Sequence, residues 1–247
     1  MRRPSSAYGS SIAFGPGPLS PALKALIIAN VVVFVAQLLV PRIAWTLALR
    51  PADALWRLEI WQLVTYMFLH VGAVHVLFNM LALWMFGTEL ERIWGTRDFL
   101  KFYFVTGTGA AALTVLFSLL PFEAAAQLRG ALIMGASGAI YGLLLAYGLY
   151  FPDRPLLLFM VFPVPAKYAV MIFGVLAFMF SMEGNSGVAN ATHLAGLIVG
   201  YFYLKGGRVH PMAEAKYWYL RWKMARTRKK FDVYSGGRAN DWNRRVH

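Results

Sequence analysis

Residues 131–150 read ALIMGASGAIYGLLLAYGLY, an apolar stretch that is long enough to cross a bilayer as a helix. Five further stretches of this kind follow the same pattern, at residues 23–40, 71–86, 99–119, 166–182 and 189–204. Backbone amides in lipid must be satisfied within their own segment, so each stretch is expected to be helical. The pattern therefore predicts an all-α membrane protein, a bundle of six transmembrane helices.

The composition agrees with a membrane protein. Of the 247 residues, 59% are hydrophobic and 14% are charged, whereas a soluble domain is typically about 45–50% apolar and about 25% charged. The chain contains no cysteine. This excludes disulfides, thiolate metal sites and a cysteine nucleophile.

Charge is concentrated near the C-terminal end of the chain. The net charge is +13, and from Lys205 onward there are 12 Lys and Arg against 3 Asp and Glu. We predict three segments: a flexible N-terminal segment at 1–22, a six-span core at 23–205 and a basic, aromatic tail at 206–247. The positive-inside rule places both termini in the cytoplasm.

The predicted tail interleaves Trp and Tyr with Lys and Arg between residues 211 and 231. Aromatic side chains favour the membrane interface, and basic side chains favour anionic lipid. The tail is therefore expected to lie on an anionic lipid surface. Nucleic-acid binding is the alternative for such a composition, and we do not expect it here.

Polar side chains within apolar spans are costly and therefore mark candidate sites. His75 and Asn79 stand four residues apart and share one face of the second span. Ser137 lies in the fourth span and His193 in the sixth. Plainer interpretations exist, because polar side chains also join helices in membranes and a helical serine often bonds back to its own backbone.

Topology brings these four side chains to one level. The second, fourth and sixth spans run in the same direction, and each candidate lies within about nine residues of its span's outer end, on the order of 10 Å deep at about 1.5 Å per residue. Glycines at small-xxx-small spacing predict close approach of the fourth and sixth spans. A serine, an imidazole base and two hydrogen-bond donors at one depth indicate a serine hydrolase.

These motifs resemble the rhomboid family of intramembrane serine proteases, over residues 23–204. The resemblance rests on three patterns in this order, namely His75-x-x-x-Asn79, Gly135-x-Ser137-Gly138 and His193-x-x-Gly196. Two positions depart from the family pattern. Trp61 is followed by Gln62 where Arg is usual, and Thr192 precedes His193 where Ala is usual.

The resemblance implies a Ser–His dyad, with Ser137 as the nucleophile and His193 as the general base. It also implies that His75, Asn79 and the backbone N–H of Ser137 bind the oxyanion. Tyr141 is expected to orient His193 by packing, in place of a carboxylate. Supporting roles are expected for Gly135, Gly138 and Gly196. No metal and no cofactor are expected.

The predicted function is endoproteolysis of single-span membrane proteins near their extracytoplasmic side, in a bacterial inner or cell membrane. The main alternative is a catalytically inactive rhomboid-like scaffold that binds membrane proteins. A zinc protease is disfavoured, because His70 and His75 are five residues apart and lack the carboxylate of a His-Glu-x-x-His motif. A transporter is disfavoured by the lack of internal repeats.

Overall fold

The structure is a computed structural model of the chain and describes residues 17–158, 162–181 and 184–206. Three of its helices are long and apolar enough to cross a membrane: α1 (Pro21–Leu39), α5 (Ala73–Trp94) and α6 (Thr96–Phe117). Three more helices contribute to the bundle, namely α8 (Ser137–Tyr150), α9 (Ala166–Ser181) and α10 (Gly184–Gly206). Short helices occupy the connections: α2 (Arg42–Leu47), α3 (Pro51–Trp56), α4 (Gln62–Thr65) and α7 (Glu123–Gly130).

The first three predicted spans overlap α1, α5 and α6, although α5 runs eight residues beyond its predicted end, and the mostly helical membrane fold is confirmed. The count of six spans stays a prediction. Residues 1–16 and 207–247 lie outside the described residues, and with them most of the predicted N-terminal segment and tail. The first compact unit of the chain ends at Leu204.

Helix α8 is shorter than the span predicted at 131–150. It has 14 residues, about 21 Å at 1.5 Å per residue, against about 30 Å for the apolar core of a bilayer. Residues 131–136 are not helical. Ile133 pairs with Leu49 through two backbone hydrogen bonds of 2.8 and 3.0 Å, and the N–H of Gly135 donates to the carbonyl of Tyr66 over 2.9 Å. Gly135 has φ +130°, which a helix does not permit.

A β-hairpin connects α8 and α9 in a proline-rich part of the sequence. Strand β1 (Pro155–Leu158) pairs antiparallel with β2 (Phe162–Pro165), and Pro155 lies opposite Pro165. Prolines stop a helix because they lack an N–H and clash one turn back. Pro155 and Pro165 lie at the two ends of the paired segment, where proline is compatible with a hairpin.

Helix α8 lies in the middle of the bundle and packs against α5, α6 and α9. Small residues allow this close approach. A Cβ on Gly142 would lie 3.0 Å from the Cβ of Thr106 on α6, and one on Gly148 would lie 2.5 Å from Val170 on α9. Nine of the helix's residues are buried. The position of its first residue, Ser137, is therefore held by neighbours on several sides.

The start of α1 is joined to the end of α5 by a buried carboxylate. Ser20 caps α1 by accepting a hydrogen bond from the N–H of Leu23, and its hydroxyl donates to Glu91 over 2.5 Å. The hydroxyl of Thr96 donates to the other oxygen of Glu91 over 2.6 Å. These bonds satisfy a carboxylate that would otherwise be costly to bury.

Candidate active site

Ser137 is the first residue of α8. It follows Ala136, which has helical dihedral angles (φ −70°, ψ −4°). The first N–H groups of a helix have no acceptor within the helix, and the helix dipole makes this end favourable for negative charge. The hydroxyl of Ser137 therefore lies beside backbone N–H groups that have no acceptor within the helix.

His193 of α10 faces this hydroxyl. Its Nε2 lies 2.8 Å from the Oγ of Ser137, although 56 positions separate the two residues. The approach depends on Gly196, because a Cβ there would overlap the backbone carbonyl oxygen of Gly138. Helices α8 and α10 are therefore in direct backbone contact one turn from the Ser137–His193 pair.

The imidazole of His193 is held by an aromatic stack. The ring of Tyr141 lies parallel to it, with centroids 4.3 Å apart and an interplanar angle of 6°. Phe173 of α9 packs edge-on against Tyr141, at 6.4 Å and 80°. The Nδ1 of His193 is buried and has no hydrogen-bond partner among the described residues. The Tyr141 ring therefore packs on His193 as predicted, and its role in orienting the imidazole stays a prediction.

His75 lies in the first turn of α5, across from Ser137. Its Nδ1 accepts from the N–H of Val71 over 3.4 Å, so in the neutral ring Nε2 carries the hydrogen. A Cβ on Gly135 would lie 3.0 Å from this Nε2 and 3.5 Å from the Oγ of Ser137. Gly135 has no Cβ, and a small gap remains between the two side chains.

Asn79 lies one turn further along α5. Its Nδ2 donates to the backbone carbonyl of His75 over 2.8 Å, and its buried Oδ1 has no partner within the described ranges. Asn79 does not line the cavity whose wall contains Ser137 and His193. The structure brings Asn79 close to His75, and its predicted contact with an oxyanion stays a prediction.

A cavity of about 450 Å³ opens at these side chains. Such a volume is within the range of small-molecule and peptide side-chain sites, about 300–1,000 Å³. Its walls come from the connection before α5 and the first turn of α5, from α7 with the extended segment after it, and from α8 and α10. The lining residues are Tyr66, Val71, His75, Gln127, Gly130, Ala131, Leu132, Ile133, Met134, Gly135, Ser137, Thr192 and His193.

Tyr66 and Gln127 at this site were not singled out from the sequence, and Thr192 was noted only as a departure from the family pattern. Tyr66 donates its hydroxyl to the carbonyl of Gly107 over 2.7 Å, and the hydroxyls of Thr192 and Thr114 lie 3.2 Å apart. Nothing in the sequence indicates these contacts, because each joins distant segments. Gln127 reaches the cavity from α7, a helix that the apolar pattern does not reveal.

His70 was considered from the sequence as a metal ligand. In the structure its ring packs edge-on against that of His75, with centroids 5.1 Å apart. The side chain is fully buried, and neither ring nitrogen has a hydrogen-bond partner in the described segments. Burial, with a smaller effect of His75, lowers the pKa of His70 to about 4. His70 is thus a neutral packing partner of His75.

The arrangement can be compared with known proteins. Residues 57–207 match the family model of the Rhomboid domain. The chain belongs to the rhomboid family. Family membership and the long apolar helices together make it an integral membrane protein. The resemblance inferred from the three sequence patterns is therefore confirmed.

The similar proteins include several named as proteases. The chain is 36% identical over 144 residues to rhomboid protease GluP of Bacillus subtilis, covering 58% of this chain and 25% of that protein. It is 32% identical over 157 residues to rhomboid protease GlpG of Serratia proteamaculans, covering 61% and 49%. For the putative rhomboid protease YdcA of Bacillus subtilis the values are 33% over 148 residues, 58% and 65%. The chain thus spans between a quarter and two thirds of these relatives.

Proposed function

We propose that this rhomboid-family protein is an intramembrane serine endopeptidase that cleaves single-span membrane proteins. The observation that carries the proposal is the 2.8 Å separation between Ser137 Oγ and His193 Nε2 at the wall of an open cavity. A serine within hydrogen-bond reach of a base is the arrangement that activates a hydroxyl for attack. Relatives named as rhomboid proteases support the same activity.

The proposed reaction proceeds by acyl transfer. As the Oγ of Ser137 attacks a peptide carbonyl, Nε2 of His193 takes the hydroxyl proton, and His193 then donates it to the departing amine. Water enters next and loses a proton to His193 as it attacks the acyl carbon, and His193 returns this proton to the Oγ of Ser137 as the new carboxyl group leaves. The stack on Tyr141 keeps Nε2 aimed at the hydroxyl through both steps.

The proposed oxyanion site is the gap beside Gly135. Donors in such sites typically lie about 2.7–3.1 Å from the developing oxyanion, and the position of the missing Cβ is 3.0 Å from Nε2 of His75. The N–H of Ser137 is a second donor, and Asn79 is a third. Removing one donor typically costs about 2.7–4 kcal/mol of transition-state stabilisation.

The cavity determines which substrates are suitable. Hydrolysis needs water, which a polar opening supplies and a bilayer excludes. A peptide carbonyl within a stable helix is already hydrogen-bonded, so residues that weaken helices should favour cleavage. We propose a six-span topology with both termini in the cytoplasm, and cleavage near the extracytoplasmic side. The bacterial membrane is the proposed location.

The decisive experiment uses purified protein and a single-span reporter in liposomes. Ser137→Ala and His193→Ala are each expected to abolish cleavage and labelling by a fluorophosphonate, while circular dichroism and the Tm remain close to wild type. Ser118→Ala is the matched control, since Ser118 is a buried serine whose hydroxyl donates to its own helix at Val115. It should leave cleavage intact.

Two results would contradict the proposal. Full cleavage by either dyad variant would reject the assigned roles of Ser137 and His193. A folded wild-type protein that binds the reporter but neither cleaves it nor reacts with the fluorophosphonate would support the inactive scaffold instead.

A further inference from the structure

The hairpin formed by β1 and β2 has no part in the proposed reaction, and its composition is unusual. From Pro155 to Pro165 every residue is apolar. Leu156 is buried against the core of the bundle. Phe162, in contrast, is 62% exposed, and Pro163 beside it is exposed too. A fully apolar hairpin with an exposed phenylalanine is unfavourable in water.

Exposed apolar side chains continue from the hairpin into α9. Tyr168, Met171, Ile172 and Val175 are all exposed, and their spacing places them on one face of the helix. Both strands of the hairpin contact α9. Since α9 is an apolar helix of an integral membrane protein, this exposed face is suited to lipid. The hairpin therefore extends an apolar surface that is suited to contact with acyl chains.

The base of the hairpin is polar and tied to the bundle. Lys167 pairs with Asp153 over 2.6 Å, and Arg154 pairs with Glu89 of α5 over 3.1 Å. The ammonium group of Lys167 also lies 5.2 Å from the centre of the Tyr168 ring. Lysine and tyrosine are characteristic of the boundary between lipid and water. The charged base thus fits the headgroup level, beside strands that fit the acyl chains.

We propose that this hairpin is a lipid-binding element that buries Phe162 and Pro163 in the membrane leaflet at the α8–α9 end of the bundle. Its binding partner is the apolar boundary of the leaflet rather than another protein. Because Lys167 and Arg154 are each paired with a carboxylate, the contact rests on apolar burial. It should therefore not require anionic lipid. The inference is independent of the proposed protease activity.

The absence of cysteine allows a direct test in the full-length protein. A spin label on Phe162→Cys would be examined in phosphatidylcholine vesicles by its collisions with oxygen, which partitions into lipid, and with a water-soluble nickel chelate. Met171→Cys provides the lipid-facing reference. Asp98→Cys, exposed at the start of α6, provides the aqueous reference. All three positions are exposed, so the fold should be preserved, and the Tm checks this.

The proposal predicts that the label at position 162 behaves like the label at position 171, with high oxygen and low nickel accessibility. Adding phosphatidylglycerol should leave this result unchanged. Nickel accessibility equal to that at position 98 would overturn the proposal and place the hairpin in water, where a soluble protein partner becomes the better interpretation. Burial that appears only with phosphatidylglycerol would overturn the apolar basis of the contact.

Discussion

At Gly135 the backbone conformation and the neighbouring His75 ring both disfavour any residue that has a Cβ. The φ of +130° disfavours a side chain, and a Cβ would lie 2.8 Å from Cε1 of His75. We expect Gly135→Ala to displace the His75 ring and lower the rate of reporter cleavage by about 10²-fold or more, as when one oxyanion donor is lost.

Gly130→Ala is the control for this substitution. Gly130 lines the same cavity, but an added Cβ there meets nothing within 4 Å. Its cleavage rate should stay near that of wild type. Equal cleavage rates for the two alanine variants would show that the gap beside Gly135 does not bind the oxyanion.

We expect Tyr141 to act through its ring face rather than through its hydroxyl. The stack on His193 is parallel at 4.3 Å, and aromatic pairs contribute about 0.5–1.5 kcal/mol beyond area burial. We expect Tyr141→Phe to retain cleavage and Tyr141→Ala to lower kcat by about tenfold, with a changed pH profile. A comparable loss in Tyr141→Phe would assign the effect to the hydroxyl.

We expect His70 to make the stability of the protein depend on pH. Its pKa is about 4 in the folded protein and about 6.5 in the unfolded chain, so the unfolded chain binds more protons between these values. Stability should therefore fall as the pH drops from about 6.5 towards 4. We expect His70→Phe, which keeps an aromatic edge against His75, to flatten the decrease in Tm measured in detergent. An unchanged pH dependence would contradict this.

Among the elements, α8 and α10 make the contact on which the candidate site depends. A Cβ on Gly196 would overlap the carbonyl oxygen of Gly138, and backbone atoms cannot move aside as a flexible side chain can. We expect Gly196→Ala to separate the helices, destabilise the protein by about 1–3 kcal/mol and reduce fluorophosphonate labelling of Ser137. Thermal unfolding and labelling rates measure the two effects.

Gly174→Ala provides the comparison at another helix contact. A Cβ at Gly174 would lie 3.4 Å from Leu197, an ordinary van der Waals distance. This variant should match wild type in both measurements. If Gly196→Ala also behaves as wild type, the glycine contact does not determine the separation of Ser137 and His193.

At the scale of the whole molecule, the cavity and its surrounding contacts lie within the first compact unit, Met1–Leu204. We expect a chain truncated after Gly206 to retain reporter cleavage and fluorophosphonate labelling at rates comparable to the full-length protein. The measurement compares both proteins in the same liposomes. Loss of labelling in a truncated protein with an unchanged circular dichroism spectrum would show that the tail contributes to the site.

Local sequence was sufficient for the membrane class, for the helices α1, α5 and α6, and for the family. Apolar runs predict helices in lipid because each helix satisfies its own backbone, and no distant partner has to be known. The His75, Ser137 and His193 motifs indicated the rhomboid family for the same reason, since each motif spans only a few consecutive residues. These inferences needed no information about how the helices pack.

Tertiary contacts decided where α8 begins and how its first residue is surrounded. Leu49 pairs with Ile133, and Tyr66 accepts from Gly135, so residues that are apolar enough for a helix are drawn into an extended segment. The hydrogen-bond distance between Ser137 and His193 likewise depends on the contact of Gly138 with Gly196. Such contacts join residues far apart in the chain. Their energies depend on how well the surfaces of two segments fit together, which the sequence of one segment alone does not reveal.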